Sequence, residues 1–270
     1  MYSCNLGVCK VFSAFALSLA VWAQAPSQPF ASSFNNSIPS APATNPAPAA
    51  SNPNALTPEM RGDIFMARKM FREAVEMYAQ MPQNQALTWN KMGIAYHQMA
   101  QLGLAKKSYE KAVKLNPTYA EAINNLGTVA YAQKSYRRAT NHYKKAISIA
   151  PLSASMHSNL GTAYFARKKY EDASESYKKA LELDPNVFEH RGSNGTVLQE
   201  RSVEERAKFH YYLAKLYAKG GQNERALQYL RKALEEGYKE RAKIVEDDAF
   251  ALLKENPEFQ TILKTEYRAL

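Results

Sequence analysis

The central part of the sequence repeats itself with a period of 34 residues. Three consecutive blocks have this length, namely residues 86–119, 120–153 and 154–187. Counted from the start of each block, glycine stands at position 8, alanine at positions 20 and 27, tyrosine at position 24 and proline at position 32. Such a chain must fold as a row of similar units, because one unit cannot bury its own apolar face.

The spacing of apolar residues inside a block predicts two helices. Trp89, Met92 and Tyr96 recur at i, i+3 and i+7, which places them on one face of a first helix. Positions 20, 24 and 27 repeat this pattern on a second helix, and proline at position 32 ends it. We therefore predict an antiparallel helix pair in each block, with small residues at positions 8 and 20 where the two helices approach closely.

These positions resemble those of the tetratricopeptide repeat family. The resemblance implies an all-α fold, a right-handed superhelix or α-solenoid of helix pairs, whose concave groove is lined by the first helix of each unit. Two looser copies are found outside the central blocks. Residues 55–85 are shorter by three, and residues 207–240 have Ala214 in place of glycine and Leu230 in place of tyrosine. The sequence thus predicts about five helix-turn-helix repeats.

We expect the repeat array to span residues 58–240. Thr57 followed by Pro58 is typical of a helix N-cap with proline in the first turn. An insertion, residues 188–201, precedes the last repeat and contains an Asn-Gly pair that favours a tight turn. A plain surface loop and a binding loop both fit this insertion. Ser202, with glutamate three residues later, is typical of a capping box that restarts a helix.

Residues 241–270 are predicted to form helices that cover the apolar face of the last repeat. Asp248 and Asn256 are each followed by an aromatic residue within a few positions, and both are typical N-cap signals of short helices. The resemblance implies the same role, since such tails close many bacterial members of the family.

The first 57 residues differ in composition from the repeats. Residues 1–23 contain one basic residue, then the apolar stretch Val11 to Val21, then a small residue at Ala23, which is typical of a secretory signal peptide. The apolar stretch is much shorter than the roughly 20 residues of a membrane-spanning helix, so we expect cleavage rather than a stable span. Retention of the segment as an anchor stays open.

Residues 24–57 contain no charged side chain and are rich in Pro, Ala, Ser and Asn. Such a segment cannot bury enough apolar surface to offset its ordering entropy, so we predict a disordered linker. Together with the signal peptide, this composition predicts export, and its bacterial character favours the periplasm over the extracellular space.

Motifs for catalysis and metal binding are missing from the sequence. Cys4 and Cys9 both lie in the segment that would be removed, and the five histidines have no ligand spacing. Gly220-Gly221 lacks the Lys-Ser or Lys-Thr of a phosphate loop. We therefore expect no enzyme activity, no metal and no cofactor.

The formal net charge of +10 permits contact with acidic proteins, anionic lipid headgroups or other polyanions. The basic residues are spread along helix faces in short pairs such as Arg137-Arg138 and Lys144-Lys145. We do not expect a nucleic-acid partner, because no recognised reading module is present.

The resemblance also implies which residues line the groove, since the family forms it from positions 2, 5, 6, 9, 12 and 13 of the first helix. Most of the residues at these positions carry amide, hydroxyl or aromatic groups. Amides can pair with the backbone of an extended peptide, and aromatics add apolar contact area. The candidates are Asn90, Asn124, Asn125, Thr128, Tyr131, Ser158, Asn159, Thr162, Phe165, Tyr211 and Lys215.

Asn125 and Asn159 stand at the same position of successive repeats, as in the asparagine ladders of some peptide-holding members. An asparagine before Leu-Gly is also simply common in this repeat, so both interpretations stay open. The carboxylate clamp of chaperone-binding members is not reproduced, because Thr128 and Thr162 stand where it needs asparagine.

Two functions remain open from the sequence. The first is a non-enzymatic scaffold that holds a protein or peptide in the groove during assembly of an envelope complex. The second is a structural role, in which the protein self-associates into a homo-oligomer or attaches to an envelope polyanion through its basic helix faces.

Overall fold

Five helix pairs follow one another along the chain. The computed structural model describes residues 56–189 and 202–267, and every regular element in these two ranges is a helix. The pairs are α1 (Pro58–Ala67) with α2 (Phe71–Tyr78), α3 (Ala86–Gln98) with α4 (Leu102–Leu115), α5 (Ala120–Ala132) with α6 (Tyr136–Ile149), α7 (Ala154–Ala166) with α8 (Tyr170–Leu183), and α9 (Val203–Lys219) with α10 (Asn223–Glu235). The predicted all-α array of helix-turn-helix repeats is confirmed.

The predicted signal peptide, nearly all of the predicted linker and residues 190–201 of the insertion lie outside the described residues. The extents given to these segments therefore stay predictions. No helix in the described part of the chain is both long and apolar enough to cross a membrane.

Side-chain caps start two of the first helices where the sequence indicates them. Thr57 Oγ1 accepts the Met60 N–H at 3.2 Å, and Pro58 is the first residue of α1. Ser202 Oγ accepts the Glu205 N–H at 3.2 Å and starts α9. Both caps satisfy a backbone donor that the helix itself leaves without a partner.

The C-terminal tail consists of α11 (Arg241–Glu246), a 3₁₀ helix (Asp248–Leu253) and α12 (Pro257–Lys264). Asn256 caps α12 as predicted. The N-cap predicted at Asp248 is wrong by one residue, since the carboxylate of Asp247 accepts the Ala249 N–H at 3.0 Å. Asp247 has the extended backbone that an N-cap needs, whereas Asp248 already belongs to the first turn.

All five helix pairs turn through the same backbone conformation. Position 15 has a positive φ of 57–72° in every pair, at Lys69, Ala100, Lys134, Lys168 and Gly221. The next N–H then bonds to a carbonyl five residues earlier, as from Ser135 to Ala130 at 2.8 Å. This is the left-handed closure of a Schellman motif. Four of the five turns are made without glycine, so packing of the two helices outweighs the strain of the turn.

The two helices of a pair meet where glycine at position 8 faces tyrosine at position 24. A Cβ atom added to Gly127 would lie 2.6 Å from Tyr143 Cε1, and one added to Gly62 would lie 2.3 Å from the same atom of Tyr78. Gly93 and Gly161 make the equivalent contact. In the last pair, Ala214 and Leu230 occupy the two positions and are both fully buried. Leucine is smaller than the tyrosine that it replaces, and this leaves room for alanine, which is larger than the glycine that it replaces.

The tyrosine also binds the first helix through its hydroxyl group. In three of the repeats it donates to the side chain at position 9, which lies 15 residues earlier in the chain. In residues 86–119 this position is Ile94, whose side chain has no acceptor. The bonds are Tyr78 to Asp63 at 2.7 Å, Tyr143 to Thr128 at 3.3 Å and Tyr177 to Thr162 at 3.3 Å. A buried tyrosine hydroxyl needs such a partner, because an unpaired one would cost its desolvation energy.

Replacing Gly127 by alanine should destabilise the array. We expect Gly127→Ala to lower the free energy of unfolding by roughly 1–3 kcal/mol through overpacking against Tyr143, although alanine is the better helix former by about 1 kcal/mol. Urea unfolding followed by circular dichroism measures the change.

The double variant Gly127→Ala/Tyr143→Leu copies the pair found in the last repeat. It should lose less stability than the sum of the two single variants, because the leucine leaves room for the new methyl group. Strictly additive losses would show that the two positions do not meet.

Candidate functional site

A row of side-chain amides joins the first helices of neighbouring repeats. Asn125 Nδ2 donates to Asn90 Oδ1 at 3.0 Å, and Asn159 Nδ2 donates to Asn124 Oδ1 at 3.1 Å. Both bonds run from position 6 of one repeat to position 5 of the preceding repeat. Asn90 in turn donates to the hydroxyl of Tyr119 at 3.3 Å. We call Asn90, Asn124, Asn125 and Asn159 the amide row.

Three members of the amide row are only half-buried, and Asn90 is buried with 5 % of its surface exposed. A primary amide has two N–H donors and a carbonyl oxygen with two lone pairs. Asn125 and Asn159 each use one N–H in the bond to the preceding repeat. Each side chain therefore keeps a second donor and an acceptor oxygen for a further partner, at a place that the first bond fixes.

The structure divides the eleven predicted groove residues into two groups. Six are buried, with at most 8 % of their surface exposed: Asn90, Tyr131, Ser158, Thr162, Phe165 and Tyr211. The other five are half-buried: Asn124, Asn125, Thr128, Asn159 and Lys215. The aromatic members pack inside the array, as where the Phe165 ring meets Phe209 of the next repeat at 5.8 Å. The surface offered along the central repeats is therefore mainly amide and hydroxyl.

At the N-terminal end of the amide row, a charged side chain replaces the amide. Lys91 occupies position 6 of its repeat, and its Nζ lies 2.7 Å from Asp63 and 3.2 Å from Glu59 on α1. Burial alone would raise the pKa of Asp63, but hydrogen bonds from Lys91 and Tyr78 outweigh it and hold the pKa below its ordinary value. Position 6 thus links a first helix to the preceding one in three successive repeats.

At the C-terminal end, the tail packs on the first helix of the last repeat. Tyr211 Oη donates to the Asp247 carboxylate at 2.6 Å, and Lys215 Nζ lies 2.6 Å from the same group. The ring of Tyr238 stacks on Tyr211 with centroids 4.5 Å apart. Two predicted groove residues, Tyr211 and Lys215, are therefore bound to the tail.

Asp247 is ionised in this arrangement. Burial alone would raise its pKa, but hydrogen bonds from Lys215, Tyr211 and the Ala249 N–H outweigh burial and hold the pKa below its ordinary value. The pKa of Tyr211 is raised, first by burial and then by its bond to the carboxylate. The tail is thus fixed to α9 by a charged contact.

An aromatic pocket of about 340 Å³ opens beside this contact, and Tyr212 and Lys208 are among the residues that line it. The ring of Tyr170 stacks on Tyr212 with centroids 5.2 Å apart, and Lys208 Nζ lies 4.2 Å over the Tyr170 ring. Our sequence prediction did not include Tyr170, Lys208 or Tyr238. Lys208 stands at position 2 of its repeat, which is a groove position. Tyr170 is the first residue of α8 and Tyr238 follows α10, so neither stands at a groove position of a first helix.

In residues 56–189 and 202–267, no three side chains of His, Cys, Asp or Glu come together in a way that could hold a metal ion.

The contact of Asp247 with α9 should show in the pH dependence of stability. Its pKa in the folded state lies below the value of about 3.9 in an unfolded chain. The stabilisation is therefore fully present above that pH and is lost as the pH falls through the folded-state pKa. We expect Asp247→Asn to lower the Tm by roughly 2–4 °C or more at pH 7, with the difference from the native protein shrinking below about pH 3.5.

Asp248→Asn makes the same chemical change at the neighbouring, exposed residue and should alter the Tm much less. A Tm difference between the native protein and Asp247→Asn that stays constant from pH 7 to pH 2.5 would contradict the charged contact.

Comparisons with known proteins agree with the repeats. Four models of the tetratricopeptide repeat family match residues 86–119, 120–150, 154–187 and 196–240, together more than half of the chain. No curated protein matches the sequence.

Several solved structures are similar in fold. A crystal structure of MamA is 23% identical, with a TM-score of 0.46 over 67% of this chain and 96% of that chain. MamA from Desulfovibrio magneticus RS-1, from residue 41 to its end, is 22% identical, with a TM-score of 0.45 over 66% and 92%. YrrB, described as a TPR protein with an unusual peptide-binding site, is 17% identical, with a TM-score of 0.43 over 68% and 86%.

Proteins of this fold are generally non-enzymatic scaffolds that bind other proteins. With its in-register blocks, its helix pairs and its family matches, the chain belongs to the tetratricopeptide repeat family.

Proposed function

We propose that this protein holds an extended polypeptide along the face formed by α3, α5 and α7, at the amide row, and that it does so without catalysing a reaction. The observation that carries this proposal is the repetition of half-buried amides at one position of successive first helices. Each of them has hydrogen-bonding groups left after its bond to the preceding repeat.

The spacing of the amides suits an extended chain. Packed helices lie about 8–10 Å apart, and an extended chain advances about 3.3 Å per residue. A peptide running along the row would therefore meet one amide at about every third residue. Amides that donate and accept can pair with its backbone N–H and C=O groups, so binding would demand little of the peptide sequence.

The bonds between repeats favour binding, because they fix each amide before the peptide arrives. A side chain that is already ordered loses less conformational entropy when it binds a ligand. Asn125 and Asn159 are each held at one end by a bond of 3.0–3.1 Å. The amide row is thus suited to hold a peptide as well as to join the repeats.

Position 6 differs at the two ends of the row, which gives the face a direction. It is Lys91, paired with two carboxylates, at the N-terminal end and Tyr212 at the C-terminal end. We infer that a bound segment is polar where it passes Lys91 and places an apolar side chain near the rings of Tyr212 and Tyr170.

We further propose that the protein acts outside the cytoplasm, in the assembly of an envelope complex. The support comes from the sequence alone. Residues 1–23 are typical of a signal peptide, and the remainder of the chain contains no cysteine.

The double variant Asn125→Ala/Asn159→Ala should lose the partner. Full-length native and variant protein are used to capture proteins from an envelope fraction, and captured proteins are identified by mass spectrometry. The dissociation constant of the recovered partner is then measured for both. We expect it to rise roughly 10- to 100-fold, as for the loss of two hydrogen bonds. It should depend little on ionic strength, since the contacts are uncharged.

Two control variants separate binding from folding. Asn141→Ala/Asn223→Ala removes two exposed amides from second helices and should leave the affinity unchanged. Asn90→Ala removes the acceptor of one bond between repeats and the donor of the bond to Tyr119 but keeps Asn125 and Asn159, so it measures the effect of losing these internal bonds. Equal capture by the native protein and the Asn125/Asn159 variant would exclude the amide row as the binding site.

A further inference from the structure

The second helices of two adjacent repeats, α4 and α6, form a strongly basic surface. They contain eight basic side chains, all exposed, and a single acidic one, Glu110. The eight are Lys106, Lys107, Lys111, Lys114, Arg137, Arg138, Lys144 and Lys145. We call them the basic face. They lie on the second helices, whereas the amide row lies on the first helices.

The positive charge of the basic face is hardly neutralised within the protein. Lys106 lies 3.6 Å from Glu110, and among the described residues the other seven cations have no carboxylate within ion-pair distance. Lys111 and Lys144 lie 5.8 and 5.5 Å from the ring centroids of Trp89 and Tyr164, contacts that leave their charge in place. The face is therefore free to attract anions.

A groove of about 260 Å³ runs between the two helices, with α5 at its floor. Lys106 and Glu110 line one side, and Arg138 and His142 line the other. The pKa of His142 is lowered, first by burial and then by Lys145, Arg138 and Lys106, against an opposing effect of Glu110. The cations around this groove outnumber its single carboxylate, so the groove attracts an anion more than a further cation.

The basic face does not continue along the array. In α8 the same helix positions carry Asp172 in place of Arg138 and two further acidic residues, Glu171 and Glu175. Lys178 and Lys179 of α8 both pair with Glu182, at 4.0 and 3.2 Å. In α2 two acidic residues accompany one arginine. The positive charge is thus a local feature of two repeats, although their backbone conformation is the same as that of the neighbouring repeats.

Exposed apolar side chains accompany the cations. Leu104, Lys107, Lys111 and Leu115 are spaced i, i+3, i+7 and i+11, so they share one side of α4. The two leucines are 44 % and 37 % exposed. Ile149 stands four residues after Lys145 on α6 and is 36 % exposed, and Leu152 in the following turn is 80 % exposed.

The combination of cations and apolar side chains identifies the kind of partner. Phosphate groups of a nucleic acid would bind the cations but would gain nothing from exposed leucines. At a membrane surface, lysine and arginine bind anionic headgroups while leucine enters the boundary with the acyl chains. We propose that the basic face docks on a surface of anionic phospholipids, with Leu152 entering the boundary and the amide row left open to a polypeptide.

Partition onto lipid vesicles tests this docking. Full-length protein is sedimented with vesicles of phosphatidylcholine alone or of phosphatidylcholine with phosphatidylglycerol. The readout is the ratio of the two partition coefficients, since any uncharged contribution of residues 1–55 is common to both lipids. We expect a ratio well above one that falls steeply as salt is added.

Adjacent repeats offer a matched pair of charge variants. Lys144→Glu/Lys145→Glu and Lys178→Glu/Lys179→Glu change the same residue types at the same repeat positions, with the same change in net charge. The first variant should lower the partition ratio roughly tenfold or more, and the second should leave it nearly unchanged. Circular dichroism verifies that both variants are folded.

A second pair tests the apolar contact. Leu152→Ser should weaken binding to the anionic vesicles several-fold, whereas Leu252→Ser changes an equally exposed leucine of the tail, at 85 % exposure, and should have little effect. Equal partition onto both lipids, or equal losses in both lysine variants, would overturn the proposal. Binding to duplex DNA without binding to anionic vesicles would overturn it as well.

Discussion

The contact between glycine at position 8 and tyrosine at position 24 sets the geometry on which the array depends. In Gly127 and Tyr143 it leaves no space for even one methyl group between the two helices. The tyrosine hydroxyl then reaches Thr128 on the far side of that contact. The close approach therefore brings the hydroxyl group to its acceptor, and in this repeat the two contacts together hold the helices at a fixed distance.

Regular geometry within a repeat makes bonds between repeats periodic. Asn125 and Asn159 reach back to Asn90 and Asn124 with nearly equal lengths because successive first helices are stacked in the same way. The candidate binding groups are thus part of the structure that holds the array together. A partner would bind to side chains that are already ordered, and their loss would affect both stability and binding.

A common framework also allows neighbouring repeats to carry different surfaces. Arg138 and Asp172 occupy equivalent places on α6 and α8, and the backbone around them follows the same pattern. The framework positions are small or aromatic and buried, whereas the exposed positions of the second helices are not constrained by packing. Charge can therefore gather on two repeats without disturbing the fold.

The sequence by itself determined the helix pairs and their number, because the spacing of Gly, Ala, Tyr and Pro within 34 residues encodes local geometry. It also indicated the side-chain caps at Thr57 and Ser202. It also placed Asn125 and Asn159 on one face. Only the tertiary structure decided that the amides bind one another, that Phe165 is buried, and that Asp247 joins the tail to Tyr211. Those contacts join residues of different repeats or of the tail, and their distances depend on how whole helices stack, which no spacing within one repeat specifies.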